Sequence, residues 1–157
     1  AGKYATYYPA YGAEQRGGTA NCTVVVADEE IGSPVVTKLD TVIVMNEPSL
    51  AKFEEWVKPG GTLIINSSLV SRKTSRPDVK ALYVPANEIA EKLGSDKIAN
   101  MVMLGSYLAA SKVLSVETVL ATMKEKLAAK AQFLPLNEAA VNEGIKMVEG
   151  LCANGEG

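Results

Sequence analysis

The chain has 157 residues, of which 47% are apolar and 22% charged, with a formal charge of −2 and no histidine. That is a soluble, globular composition with room for one core. It carries no basic patch suited to nucleic acid and no apolar run near the length of about 18 residues that a membrane span needs. Without histidine, the chain excludes Ser–His and Cys–His nucleophile systems and His-based zinc sites. Acid–base chemistry would fall to a perturbed Glu, Asp, Lys or Tyr.

In chain order, Lys3 to Tyr8 carries β-formers and ends at Pro9, which predicts a short strand. A polar loop, "YGAEQRGG", follows from Tyr11 to Gly18. The run "CTVVVA" (Cys22 to Ala27) is β-branched throughout and predicts a strand buried on both faces. Asp28 to Glu30 turns the chain, and "IGSPVV" returns as an extended arm kept at an edge by its proline.

"TVIVM" (Thr41 to Met45) predicts a buried strand, and "SLAKFEEWV" a helix with Ser49 as N-cap and Leu50, Phe53, Trp56 and Val57 on one face. "KPGG" ends that helix at its glycines, and "TLIIN" (Thr62 to Asn66) is the next buried strand. Strand, helix and strand with short links make a βαβ unit, so the two strands should be parallel. After the polar loop "SSLVSRKTSRPD", "KALYV" (Lys80 to Val84) is a further strand and "PANEIAEKLG" a short helix capped by Asn87 and stopped at Gly94.

The remainder is helical. One helix presents Ile98, Met101, Val102, Gly105, Leu108 and Ala109. The next starts at the N-cap Ser115 and buries Val116, Val119, Leu120, Met123 and Leu127. A last helix buries Ala140, Val141, Ile145 and Val148. The expected architecture is α/β, three-layered αβα, with a mostly parallel sheet and a helical C-terminal part. Residues 1–151 should form one domain and residues 152–157 a flexible tail.

Two places could carry function. Ligands in parallel sheets bind beyond the C-terminal ends of the strands, where "MNEP" and "NSS" place Asn46, Glu47, Asn66 and Ser67. Asn46 and Ser49 could equally be no more than caps of the following helix. The second place is the loop Tyr11, Gly12, Glu14, Arg16, Gly17 and Gly18. It matches neither a P-loop nor a dinucleotide fingerprint. It reads either as a solvated turn or as a contact surface, because Tyr7, Tyr8 and Tyr11 stand beside it and aromatics with Arg are enriched at interfaces and phosphate contacts. Cys22 and Cys152 have no metal or cluster spacing, and a reduced, cytoplasmic protein is expected.

Together, "YYPAYGAEQRGGTANCTVVVADEEIGSPVV", "VIVMNEPSLAKF", "VKPGGTLIINSSLV" and "VPANEIAEKLGSDKIANMVMLGSYLAA" resemble the gamma subunit of the 2-oxoacid:ferredoxin oxidoreductases. The 2-oxoglutarate and ketoisovalerate types look nearer than the pyruvate type. The family pattern Y-G-P-E-x-R-G-G-x-x-x-C is met except that Ala13 stands in the proline position. The resemblance implies a subunit, with no cofactor of its own, of a complex that converts a 2-oxoacid and coenzyme A to acyl-CoA, carbon dioxide and reduced ferredoxin. Thiamine diphosphate, magnesium and iron–sulfur clusters are then expected in the complex. Alpha and beta chains, with a delta chain as a further candidate, are the expected partners. Ferredoxin would be met indirectly, and neither nucleic acid nor membrane is expected. The loop around Arg16 would face a partner or the coenzyme A side of the shared active site. The family's opening strand and its glycine-rich "GxGGQG" turn have no counterpart in this sequence, so they are expected to be missing. A stand-alone coenzyme A- or nucleotide-binding module, or a structural interaction domain, would fit the same residues.

Overall fold

The computed structural model describes residues 2–11, 20–33 and 36–155. The chain is described as two compact units, Ala1–Lys38 and Leu39–Gly157. Each sheet closes its ladders inside its own unit.

The first unit is a two-stranded antiparallel ribbon, β1 (Tyr4–Tyr11) and β2 (Ala20–Ala27). Its register runs unbroken from Tyr4 opposite Ala27 to Tyr11 opposite Ala20. An ion pair between Lys3 and Asp28 lies beside the Tyr4–Ala27 end. β1 passes through Pro9, where the strand was expected to stop; Pro9 lacks an N–H and is tolerated at an edge. The expectation that β2 is buried on both faces is corrected. Its side chains alternate between exposed and half-buried from Ala20 to Val25 and stay half-buried to Ala27, and Val24, directly opposite Tyr7, is 57% exposed. A strand with one ladder neighbour pleats like any other, and here only one of its faces is covered.

The second unit holds a three-stranded parallel sheet in the order β3–β4–β5: β3 (Leu39–Val44), β4 (Val57–Asn66) and β5 (Lys80–Val84). The expected strands lie within these spans, apart from Met45, and the expected parallel pairing of β3 with β4 is present. Helix α1 (Glu47–Phe53) is shorter than expected, and a single 3₁₀ turn, Glu54–Trp56, follows it. Lys58–Gly61 therefore does not end a helix. It lies inside β4, where the pairing jumps from Leu39–Val57 to Thr41–Thr62 and Gly60 takes φ +76°. The extra residues are absorbed as an irregularity of the ladder, which only glycine-rich chain accommodates cheaply.

The faces of this sheet separate cleanly. Val42, Val44, Leu63 and Ile65 pack with Leu50 and Phe53 of α1 and with Val70. Ile64, Leu82 and Val84 pack on the other face with α2 (Ala86–Lys92), α3 (Ala99–Ser111) and α5 (Leu134–Ala153). Helices thus cover both faces, which is the layered α/β arrangement expected. Asn87 does not cap α2 but sits inside it, after an N-cap at Pro85. Gly94 does stop it, at φ +102°, with Ser95 N–H bonded to Ala90 O (3.1 Å) and Gly94 N–H to Glu91 O (2.9 Å). Helix α4 (Val116–Lys126) starts at Ser115 as expected, its hydroxyl accepting from Thr118 N–H at 3.2 Å. Of the residues it was expected to bury, Met123 is buried, while Val116, Val119, Leu120 and Leu127 are half-buried. α5 runs to Ala153, two residues into the stretch expected to be a tail.

Helices α3 and α5 meet backbone to backbone. A Cβ built on Gly105 would collide with the Val141 carbonyl, and one on Gly144 with the Val102 carbonyl. Between them the buried Ser106 hydroxyl bonds to Val102 O (3.0 Å) and Gly144 O (3.2 Å). Gly105→Ala is therefore expected to lower stability by about 1–3 kcal/mol through overpacking. Gly150→Ala, on the same α5 but with open space around it, should leave the melting temperature unchanged or raise it. Thermal unfolding of the two variants, side by side, checks this.

Candidate functional site

The C-terminal ends of β3 and β4 bring Asn46, Glu47, Asn66 and Ser67 to one end of the sheet, as their place in a parallel sheet requires. Their side chains do different things there. Asn46 is the N-cap of α1: its Oδ1 accepts from Ser49 N–H at 3.0 Å, and its carbonyl accepts from Leu50 N–H at 3.2 Å. Asn46 takes the cap expected at Ser49 and remains exposed. Glu47 turns toward the segment after β4. Its Oε2 accepts from Ser71 N–H at 3.0 Å, and its Oε1 lies 3.6 Å from Arg72 Nε.

Asn66 is fully buried and its amide is occupied at both ends. Oδ1 accepts from Ser68 N–H (3.3 Å) and Ala86 N–H (3.2 Å), while Nδ2 donates to Asn87 Oδ1 (2.8 Å). The Ser68 hydroxyl accepts from Asn87 N–H (3.2 Å) and Glu88 N–H (3.3 Å). The first turn of α2, which has no cap of its own, is thus capped from the end of β4. Ser67 is half-buried, and its N–H extends the β4–β5 ladder to Val84 O at 2.9 Å. Of the loop candidates, Tyr11 ends β1; Gly12, Glu14, Arg16, Gly17 and Gly18 lie outside the described residues.

The sequence reading missed a polar cluster between the 3₁₀ turn before β4 and the connection from β4 to β5. Glu54, 6% exposed, receives Arg72 NH2 (2.8 Å), the Thr74 hydroxyl (2.8 Å) and Ser75 N–H (3.2 Å). Arg76 forks onto Asp78 (2.7 Å to each oxygen) and donates to the carbonyls of Glu54 (3.0 Å) and Val57 (3.1 Å). The Tyr83 hydroxyl accepts from Thr74 N–H at 3.0 Å, and Lys73 Nζ stands 3.8 Å from the Tyr83 ring centre. Burial alone would raise the Glu54 carboxyl. The Arg72 guanidinium, the Thr74 hydroxyl and Ser75 N–H outweigh it and hold the group below its ordinary 4.5. Glu54 stands four residues after the buried Leu50, on the apolar side of the stretch expected to be helical, and that spacing is the local signal that could have marked it. Its partners lie 18 to 21 residues away, beyond any local pattern.

A cavity of about 500 Å³ opens among α3, α4 and α5, lined by Leu108, Lys112, Ile145 and Val148 among others. Its lining includes no residue from a strand end, so the strand ends remain the better-founded site. Among the described residues no group of three or more Cys, Asp or Glu is placed to hold a metal, and no helix is long and apolar enough to cross a membrane.

The family model for pyruvate ferredoxin/flavodoxin oxidoreductase matches residues 1–147. The ketoisovalerate oxidoreductase subunit VorA of Methanothermobacter thermautotrophicus is 39% identical over 144 residues, covering 91% of this chain and 30% of VorA. The 2-oxoglutarate synthase subunit KorC of Methanothermobacter marburgensis is 33% identical over 132 residues, covering 80% of this chain and 71% of KorC. The crystal structure of the keto/oxoacid ferredoxin oxidoreductase gamma subunit from Geobacter sulfurreducens superposes with a TM-score of 0.80 at 25% identity, over 95% of this chain and 82% of that one. The chain thus spans about three tenths of the length of VorA.

The strand-end geometry predicts two outcomes. Asn66→Ala leaves the Ala86 and Ser68 N–H groups without their acceptor, and should cost about 1–3 kcal/mol in chemical denaturation. The Glu54 carboxyl is held below its unfolded value, so its stabilisation is complete above about pH 4.5 and is lost as pH falls through the folded value. Denaturation midpoints measured from pH 7 down to pH 3 should show an acid loss that is smaller in Glu54→Gln.

Proposed function

Because the chain belongs to the pyruvate ferredoxin/flavodoxin oxidoreductase family, we propose that it is the gamma-type part of a 2-oxoacid:ferredoxin oxidoreductase. In this reading it assists the coenzyme A-dependent oxidative decarboxylation of a 2-oxoacid to acyl-CoA, carbon dioxide and reduced ferredoxin. The family match over almost the whole chain carries the proposal. The similarity to VorA and KorC favours a branched-chain 2-oxoacid or 2-oxoglutarate over pyruvate.

Thiamine diphosphate, magnesium and the iron–sulfur clusters are assigned to partner chains. Cys22 and Cys152, the chain's two cysteines, have no cluster or metal spacing in the sequence. When bound in the complex, those groups supply the carbanion and electron chemistry. This chain's share is binding and orientation.

Coenzyme A is an anion with a long uncharged arm. Its phosphates need backbone N–H groups or a guanidinium, since an unpaired anion in a dry site is costly. Arg16, Gly17 and Gly18 offer both kinds of donor, and glycine lets a phosphate approach the backbone. Asn46 and Asn66 are the candidates for the uncharged part of a ligand; Asn66 is buried and engaged within the chain, which leaves the exposed Asn46. Glu14 is assigned a pairing role, with Arg16 or with a partner's basic residue. The alpha and beta chains, with a delta chain in some assemblies, are the proposed partners in the cytoplasm.

Steady-state kinetics of the enzyme assembled with its partner chains tests this. Arg16→Ala should raise the apparent KM for coenzyme A and leave that for the 2-oxoacid unchanged. Equal effects on both, or on neither, would confine the loop to assembly. Failure of the chain to co-purify with any alpha or beta chain would overturn the subunit reading itself.

A further inference from the structure

Residues 67–79 join β4 to β5 without regular secondary structure. It is the crossover between two parallel strands, close to the minimum of about a dozen residues that such a connection needs, and it is made without a helix. Its apolar hold is small. Val70 is its one buried hydrophobic residue, Val79 is partly buried at the far end, and Leu69 is exposed.

The segment is held instead by polar contacts, and these converge. Three residues within a stretch of four, Arg72, Thr74 and Ser75, all donate to the one carboxylate of Glu54. Arg76 adds two bonds to backbone carbonyls, and Ser71 one to Glu47. Both ends are fixed independently. Val70 N–H bonds to Asn66 O at 3.0 Å, and Gly60 N–H bonds to Asp78 O at 2.7 Å. The β4–β5 ladder does not pass through the strap.

We propose that residues 71–77 form a strap that opens as a unit of its own, below the global unfolding of the domain, with the Glu54 carboxylate as its latch. A segment held by polar contacts, three of them to one carboxylate, and burying little apolar surface, opens locally at low cost. Losing the charge of Glu54 weakens three contacts at once and leaves the strand register and both cores intact. Opening would uncover Glu54, Tyr83 and the α1–β4 corner. The inference does not depend on the functional reading above.

Limited trypsin digestion of the full chain under native conditions tests it, because the strap carries two cleavable bonds, after Arg72 and after Lys73. The bond after Arg76 is resistant because Pro77 follows. Lys146, in the middle of α5, reports global opening. The wild-type chain should be cut after Arg72 or Lys73 well before Lys146. In Glu54→Gln the strap cleavage should accelerate by about tenfold, since cleavage tracks the open population, while cleavage after Lys146 changes little. Thr74→Val, which removes one of the three contacts to Glu54 and the acceptor of Arg76 N–H, should also accelerate cleavage, read at the bond after Arg72 because residue 74 adjoins the other, and serves if Glu54→Gln does not fold. Strap bonds cut no earlier than Lys146 in the wild type, or accelerated only in step with it in the variants, would overturn the proposal.

Discussion

In β4, Leu63, Ile64 and Ile65 are all fully buried, although successive side chains of a strand point to opposite sides of the sheet. A strand with no face in water must be covered twice. α1 and Val70 cover the side of Leu63 and Ile65, and α2, α3 and α5 the side of Ile64. The same constraint governs the strand's end. Where β4 leaves the sheet, its last residue is still buried, so a polar side chain there must satisfy itself within the protein. Asn66 does so by serving Ser68, Ala86 and Asn87 together, which ties the end of one strand to the first turn of the helix that follows the next.

This settles how the strand ends should be read. Asn and Ser beyond parallel strands are often taken as ligand groups, and the position is right for that. Position alone does not say whether the side chain is free. Asn46 and Asn66 are the same residue type near the ends of neighbouring strands, but they are not in register: Val44 stands opposite Ile65, and Asn46 lies beyond β3 as the cap of α1 while Asn66 is still inside β4. One is an exposed cap and the other a buried joint.

Much of the larger unit was legible in the sequence. The apolar runs of β3, β4 and β5, the glycine stop at Gly94, the Ser115 cap and the apolar faces of α3 and α5 all have local, periodic signals. What escaped was non-local. Spacing from Leu50 could place Glu54 on the covered side of its helical run, but no pattern within a window links it to Arg72, Thr74 and Ser75. The helix boundary at Phe53 was missed because Trp56 and Val57 continue the helical spacing, while the pairing of Val57 with Leu39 draws that residue into the sheet. The β-branched run of β2 looked like a fully buried strand, but composition cannot tell how many neighbours a strand will have. The family pattern around Arg16 was legible as a motif, and Gly12 to Gly18 lie outside the described residues.

The glycine crossing of α3 and α5 has a mechanical side. Contacts between side chains can yield, because rotamers can change and long chains can slide. Gly105 against Val141 and Gly144 against Val102 put main chain on main chain, and such a contact has no torsion to relax. The two helices are therefore coupled as a stiff beam, and a displacement imposed along the exposed side of α5 reaches α3 and the sheet beneath it with little attenuation.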